Sequence, residues 1–276
     1  MKVFLNGEFI EKEKARVSVF DHGFLYGQGL FETMRAYNRK IFRVDSHIER
    51  LFKSAPIINL GLPFDRASLK SCLAACLEEN DLKDAYVRLT VWQAQEAVNF
   101  AVFAKEYSFP EKKDYEKGAR AIISCFRQDE FSPLSRIKSS NYLHLLLAYQ
   151  EAKKKGMDEA ILLNSRGFVC EASRANIFIV KDNCLLTPSL DCGCLPGIAR
   201  DTLISIAARE KIETIEAEIA REDLGECQEA FLTNSLIEVM PLVGVDSRPV
   251  GQGFPGKITE IVLREYKKIV LRDINY

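Results

Sequence analysis

The chain has few histidines, a single tryptophan and almost no net charge. Its 276 residues include 3 histidines and 1 tryptophan. It has 38 basic and 39 acidic side chains, for a formal net charge of −1. So small a charge gives no electrostatic reason to expect nucleic acid or an anionic membrane as a partner. The only close cysteine pair, Cys192 and Cys194, is interpreted as structural, and no metal is predicted.

Long apolar segments are also lacking. The longest apolar runs are short, and the run over residues 143–148 is interrupted by His144, so no membrane span is predicted. The first residues, MKVFLNGEFIEKEK, become charged too early for a signal peptide. Eight cysteines without such a signal are typical of reduced thiols, and we expect a cytoplasmic protein.

The remaining composition is that of a globular protein, with 47% hydrophobic and 28% charged residues. Strand-like and helix-like patterns alternate, which predicts a mixed α/β (α+β) fold. The segment SFPEKKDYEKG combines proline, glycine and charge, as linkers do. We therefore predict a smaller N-terminal α/β domain over residues 1–107, a linker over 108–118 and a larger domain over 119–276.

The stretch LFETMRAY, residues 30–37, alternates as a strand does. Alternation places Phe31, Thr33 and Arg35 on one face of that strand and Glu32 on the other, with the apolar residues Leu30, Met34 and Ala36. The next segment is predicted to form a helix that carries Arg50.

Lys138 and Glu171 are charged residues with apolar or small neighbours in the sequence. Lys138 stands in RIKSSNYL, and Glu171 lies between two apolar strands. A buried carboxylate needs a cationic partner. That partner is either Arg174 or Arg166, in an ordinary salt bridge, or the protonated ring nitrogen of a cofactor.

Two turns have the character of phosphate sites. In LPGIAR, proline and glycine precede a predicted helix, whose first N–H groups and positive dipole end suit an anion. The stretch Thr233-Asn234-Ser235 adds hydroxyls at the end of a strand, and Arg50 supplies a positive charge. The glycines of residues 23–29 lack the Lys-Ser/Thr of a P-loop and the pattern of a Rossmann turn. A lysine, a buried acid, an arginine and two anion-binding turns are together what pyridoxal 5'-phosphate requires.

In order along the chain, the motifs FDHGFLYGQGLFETMRAY, HIERL, IKSSNYL, EASRANIF, LPGIAR and TNSLIEVMP resemble those of the fold-type IV pyridoxal phosphate enzymes. This class IV aminotransferase family includes branched-chain and D-amino-acid aminotransferases and 4-amino-4-deoxychorismate lyase. The resemblance covers nearly the whole chain. It implies two domains with the cofactor in the cleft between them, and a homodimer.

The resemblance also implies roles for individual residues. Lys138 matches the lysine that forms the Schiff base and carries the proton, and Glu171 matches the acid at the pyridine nitrogen. Arg50 matches the phosphate arginine, and Tyr142 matches a tyrosine that donates to the phenolate oxygen. Three residues fall on the phosphate turns: Ile198, Ala199, where many members have threonine, and Ser235.

The pocket residues leave two reactions open. Thr33, with its hydroxyl, and Leu236 of Asn234-Ser235-Leu236 resemble the lyases, whereas Tyr86 and Arg88 of Tyr86-Val87-Arg88 resemble the branched-chain enzymes. Tyr26 is a further candidate substrate contact.

On balance the sequence favours a lyase that converts 4-amino-4-deoxychorismate into 4-aminobenzoate and pyruvate, in the supply of folate precursors, with Lys138 and Thr33 as catalytic groups. The alternative is a branched-chain or D-amino-acid aminotransferase. A more remote one is a protein that binds pyridoxal phosphate without catalysis.

Overall fold

The computed structural model describes residues 1–275, which fall into two compact units. The first contains Met1–Ser108, Ile137–Asn141 and the part of the last helix that follows Ile269, and the second contains Phe109–Arg136 and Tyr142–Ile269. Lys138 thus belongs to the first unit, although it lies far along the chain. The domain ranges 1–107 and 119–276 remain a proposal about folding units. The predicted linker contains a short helix, Lys112–Lys117.

In the part of the chain that the structure describes, the first unit contains an antiparallel sheet, three complete α-helices and the end of the last helix. Its strands are β1 (Lys2–Leu5), β2 (Glu8–Glu11), β3 (Gly29–Tyr37), β4 (Lys40–Ile41), β5 (Ala85–Gln93) and β6 (Val98–Lys105), and they are arranged in the order β2-β1-β6-β5-β3-β4. Its helices are α1 (His22–Leu25), α2 (Val44–Ser54) and α3 (Arg66–Glu79), with 3-10 turns at Lys12–Lys14 and Ala55–Ile58.

The core of this unit lies between the sheet and helices α2 and α3. It includes Leu30, Met34 and Ala36 of β3, Ile48 and Leu51 of α2, and Leu69 and Leu73 of α3. The apolar face predicted for β3 is therefore confirmed. Consequently Phe31 and Thr33 lie on the face of the sheet away from this core.

The second unit is built on a larger mixed sheet. Its strands are β7 (Ala119–Gln128), β8 (Glu159–Asn164), β9 (Val169–Ala172), β10 (Asn176–Lys181), β11 (Cys184–Pro188), β12 (Thr214–Ala217), β13 (Glu229–Asn234), β14 (Glu238–Val245) and β15 (Arg248–Pro249). The main order is β12-β11-β10-β13-β14-β7-β8-β9, and β15 pairs with β14. The helices are α4 (Lys112–Lys117), α5 (Leu143–Lys154), α6 (Ile198–Arg209), α7 (Asp223–Glu226) and α8 (Lys257–Asn275), with 3-10 turns at Pro133–Arg136 and Leu190–Cys192.

Buried apolar clusters stabilise the second unit. One contains Ile161, Ile177 and Leu232 of the sheet, and another packs Ala148 and Ala152 of α5 against Leu162. No helix within residues 1–275 is long and apolar enough to cross a membrane. The mixed α/β fold predicted from the sequence is confirmed.

Candidate active site

Lys138 is fixed to the first unit by its backbone. The Phe31 N–H donates to the Lys138 carbonyl at 2.9 Å, and the Ser140 N–H donates to the Gly29 carbonyl at 2.9 Å, so residues 138–140 continue the sheet beside the start of β3. The Lys138 side chain is half-buried, and its Nζ lies 4.6 Å from the centroid of the Phe31 ring. Lys138 is therefore a positioned lysine and not an ordinary solvated one.

A buried ionic cluster lies on the core-facing side of β3. Glu32 and His47 are each 1% exposed, and the Glu32 carboxylate lies 2.7 Å from His47 Nδ1. Arg50 donates to both Glu32 oxygens, from Nε at 2.8 Å and from Nη2 at 2.5 Å. This two-pronged contact fixes the plane of the guanidinium group of Arg50, the predicted phosphate arginine.

The charges within this cluster follow from burial and pairing. Burial alone would raise the pKa of Glu32, but Arg50 and His47 outweigh it and lower that pKa to about 2. Burial lowers the pKa of His47, and the positive charges of Arg50 and Lys138 act in the same direction against the opposing effect of Glu32. At neutral pH Glu32 is therefore ionised and His47 is neutral.

The opposite face of β3 brings several predicted pocket residues together. Thr33 is paired with Arg88, and Arg35 with Tyr86, in the β3–β5 register. Directly opposite residues of an antiparallel pair share a face, so Arg88 and Tyr86 lie on the same side as Thr33 and Phe31. Arg88 donates to the Thr33 hydroxyl at 3.3 Å, and its guanidinium carbon lies 3.5 Å from the Phe31 ring centroid.

Two further pocket candidates lie elsewhere. Tyr26 follows the short helix α1 and is 68% exposed. Leu236 lies in the turn after β13, where its N–H donates to the Asn234 side chain at 2.8 Å. Their contacts with substrate remain predictions.

In the second unit, Glu171 lies in β9 with 6% of its surface exposed. Its Oε2 accepts the Leu195 N–H at 3.1 Å, and its Oε1 accepts from the Gln128 amide at 3.4 Å. Arg174 is instead paired with Glu159 at 3.2 Å, and Arg166 with Glu130 at 3.3 Å. The two arginines offered as ordinary salt-bridge partners of Glu171 are thus engaged by other acids.

Tyr142 precedes α5, and its hydroxyl donates to the Ser173 carbonyl at 2.8 Å. A tyrosine hydroxyl carries one proton. To donate to a cofactor oxygen, as the resemblance implies, the Tyr142 hydroxyl would have to release the Ser173 carbonyl.

The two candidate phosphate turns are anchored where the interior strands β10 and β13 of the second sheet begin and end, respectively. Asn176 of β10 is paired with Thr233 of β13, and its amide donates to the Leu195 carbonyl at 2.9 Å. The first contact anchors the turn that contains Ser235, and the second anchors the entry to α6. Gly197, directly before α6, passes so close that an added Cβ would lie 1.9 Å from the Asn176 Oδ1. Any side chain there would displace the Asn176 amide from its contact with Leu195, so the chain runs tightly into the helix.

These features fit a phosphorylated pyridine. α6 begins at Ile198 and Ala199, whose N–H groups stand in the first turn, where a helix leaves donors for a ligand. The residue before the helix is a glycine, which has no side chain to cap them. The Ser235 hydroxyl lies in the neighbouring turn, and Glu171 is a buried carboxylate held by N–H donors. An anion and a cationic ring nitrogen are the groups that such a set of donors and acceptors accommodates.

Four further side chains were not predicted as site residues. Glu32, His47, Gln128 and His144 owe their importance to contacts across strands and helices that no local pattern encodes. One signal was available for the first pair, because Glu32 lies on the core face of its strand and His47 and Arg50 are three residues apart on α2.

Relatives of the chain have names that point to amino transfer. A Methanocaldococcus jannaschii protein named provisionally as a branched-chain-amino-acid aminotransferase is 36% identical, over 98% of this chain and 96% of its own. The branched-chain-amino-acid aminotransferase of Pseudomonas aeruginosa is 33% identical over 97% and 92%. D-alanine aminotransferase of Bacillus licheniformis is 30% identical over 99% and 98%.

Solved structures agree in fold. The branched-chain aminotransferase from the thermophilic archaeon Thermoproteus uzoniensis, solved with norvaline, has a TM-score of 0.90 and 34% identity, covering 98% of this chain and 95% of that one. A Legionella pneumophila protein named provisionally as a 4-amino-4-deoxychorismate lyase has a TM-score of 0.87 and 25% identity, covering 94% and 97%. The model of the family described as "Amino-transferase class IV" matches residues 29–245. The chain therefore belongs to the class IV aminotransferases, enzymes that depend on pyridoxal phosphate.

Proposed function

We propose that this enzyme is an aminotransferase whose amino donors are branched-chain amino acids. The observation that carries the proposal is the agreement between relatives that match almost end to end and have this activity in their names, two of them at 36% and 33% identity. They favour the second of the two reactions that the sequence left open. The lyase that the sequence favoured becomes the second candidate.

Lys138, Arg50 and Glu171 are the residues to which we assign the chemistry. Bound pyridoxal phosphate supplies an electron sink that stabilises negative charge on the carbon next to the amino group. Lys138 holds the cofactor and, as a free amine, removes the proton from the substrate α-carbon. Glu171 holds a proton at the ring nitrogen, and Arg50, with the turns at Ile198, Ala199 and Ser235, binds the phosphate. The remaining proposed cofactor contact is Tyr142. The proposed substrate contacts are Tyr26, Tyr86, Arg88 and Leu236.

The experiment that tests the function is a substrate panel. The holoenzyme is incubated separately with L-leucine, L-valine, D-alanine and 4-amino-4-deoxychorismate, each with 2-oxoglutarate. We expect glutamate and the branched 2-oxo acid from the first two. Release of 4-aminobenzoate without glutamate would establish the lyase instead, and turnover of D-alanine alone would establish the D-amino-acid activity. Bound cofactor with no product from any donor would contradict catalysis as a whole.

One observation keeps the lyase as a second candidate. Thr33 presents its hydroxyl on the same face as Phe31, the ring on which Lys138 lies. A hydroxyl at this place could donate to a leaving enolpyruvyl group. For a branched-chain substrate it adds only bulk. In the structure this hydroxyl accepts from Arg88, so it has a structural partner as well.

Two substitutions at Thr33 separate the reactions. Thr33→Val keeps the shape and removes the hydroxyl, so a lyase should lose about 10²-fold or more in rate, the usual effect of a lost proton donor. Transamination of leucine should change by no more than a few fold. Thr33→Gly removes bulk and should raise kcat/KM for leucine. If Thr33→Val depresses leucine transamination as strongly as any lyase activity, Thr33 acts in both and does not distinguish them.

We also propose a cytoplasmic homodimer. Several large apolar side chains near the start of the chain are between 49% and 68% exposed: Val17, Val19, Phe20, Phe24, Leu25 and Tyr26. Exposed patches of this kind commonly mark protein–protein contacts. Sedimentation at micromolar concentration should give a dimer, and Phe20→Glu with Phe24→Glu should shift it to monomer. A fully active wild-type monomer under those conditions would contradict the proposal.

A further inference from the structure

A chain of polar contacts continues behind Glu171. The Gln128 amide nitrogen lies 3.4 Å from Glu171 Oε1 and 3.3 Å from the Gly193 carbonyl oxygen. On its other side, Gln128 Oε1 lies 2.7 Å from His144 Nε2. Gln128 is the last residue of β7, and His144 is in the first turn of α5. Three elements of the second unit therefore contribute one connected set of side chains.

The chemistry of the partners fixes the direction of each hydrogen bond. A carbonyl and a carboxylate only accept, so the NH₂ end of Gln128 must face Gly193 and Glu171. Its oxygen then faces His144, which must carry its proton on Nε2. Burial lowers the pKa of His144, so the ring is neutral at neutral pH and this is the one proton that it holds.

This arrangement leaves the Glu171 carboxylate little freedom. One oxygen accepts from Gln128 and the other from the Leu195 N–H. Gln128 and Glu171 are 4% and 6% exposed, so water cannot readily replace a lost donor. Leu195 lies just before the helix entry at Gly197, and thus the same contacts tie the acid to the proposed phosphate turn.

We propose that Gln128 and His144 are positioning residues, which hold Glu171 in the orientation that meets the ring nitrogen of the cofactor. This inference rests on the role proposed for Glu171. Gln128 acts on the carboxylate directly, and His144 acts through Gln128 by fixing which way its amide points. Supporting partners of this kind orient the groups that contact a ligand.

The test compares two cofactors in the apoenzyme. One is pyridoxal phosphate. The other is an analogue with carbon in place of the ring nitrogen, which cannot form a hydrogen bond or an ion pair with the Glu171 carboxylate. The wild type should prefer pyridoxal phosphate. Gln128→Met, which has a similar length and no donor, should reduce that preference about 10-fold, as expected for one hydrogen bond to a charged group. His144→Phe should reduce it about threefold, and His144→Gln, which keeps a donor, should restore it.

Glu171→Gln serves as the reference and separates two failures. If it leaves the preference unchanged, Glu171 does not serve the ring nitrogen, and the inference falls with that role. If it removes the preference while Gln128→Met and His144→Phe keep the wild-type value, the inference alone is overturned. Equal loss of affinity for both cofactors would also overturn it, since that is the result of a merely structural role. Should Gln128→Met fail to fold, the His144→Phe and His144→Gln pair decides the question.

Discussion

Replacement of Lys138 by alanine is expected to abolish turnover while the protein still binds pyridoxal phosphate. The residue both holds the cofactor and moves the substrate proton in the proposed mechanism, and loss of a group that acts covalently costs on the order of 10⁴-fold or more. The phosphate contacts do not involve the amine, so noncovalent binding should survive. Steady-state rates and the absorbance of the bound cofactor measure the two effects separately.

Two controls identify the cause of that loss. Lys53→Ala removes a lysine whose side chain is 75% exposed, and it should behave as wild type. Small alkylamines added to Lys138→Ala should restore part of the rate, because they supply the missing base. A Lys138→Ala enzyme that retains more than a tenth of the wild-type rate would remove Lys138 from the mechanism.

Glu171→Gln should retain the cofactor and slow the proton-removal step by about 10²- to 10³-fold. A buried carboxylate beside the ring nitrogen of the cofactor favours the protonated form of that nitrogen. A neutral amide removes that charge at the point where the reaction needs it, and loss of one such preorganised group has an effect of this size. A deuterium isotope effect on kcat with α-deuterated leucine should increase, since proton removal becomes more fully rate-limiting.

Glu130→Gln is the matched control for Glu171→Gln. Glu130 is a buried acid of the same unit, 5% exposed, but it is engaged by Ser165 and Arg166. Its substitution should reduce the free energy of unfolding and leave kcat nearly unchanged. If both variants slow the reaction equally, the effect of Glu171 is one of folding and not of chemistry.

Much of the first unit could be predicted because its signals are local. The alternation in LFETMRAY gave the faces of β3, and the apolar face lies in the core as expected. The hairpin between β1 and β2 turns at Asn6-Gly7, a pair that favours such turns, and both residues have the positive φ that the turn needs.

The position of Lys138 could not be predicted from its surroundings in the sequence. Its segment is held by backbone hydrogen bonds to Gly29 and Phe31, more than a hundred residues earlier in the chain. The resemblance identified the lysine, but only the fold shows that it lies on Phe31. The Gln128–His144 pair was missed for the same reason, because strand register and helix placement create it.

The exact substrate was the least accessible feature. Thr33 was weighed for its hydroxyl, and in the structure that hydroxyl accepts a hydrogen bond from Arg88, its partner in the β3–β5 register. A residue can thus match a motif for its chemistry and occupy the position for its packing. The sequence favoured the lyase partly for this hydroxyl, whereas relatives of similar length are named as aminotransferases.

Borohydride reduction of the holoenzyme, followed by proteolysis and mass spectrometry, tests the central claim most directly. The reagent fixes the cofactor permanently to the lysine that carries it. We predict a single modified peptide that contains Lys138, and none from Lys138→Ala. Modification of another lysine, such as Lys53 or Lys83, in place of Lys138 would contradict the account.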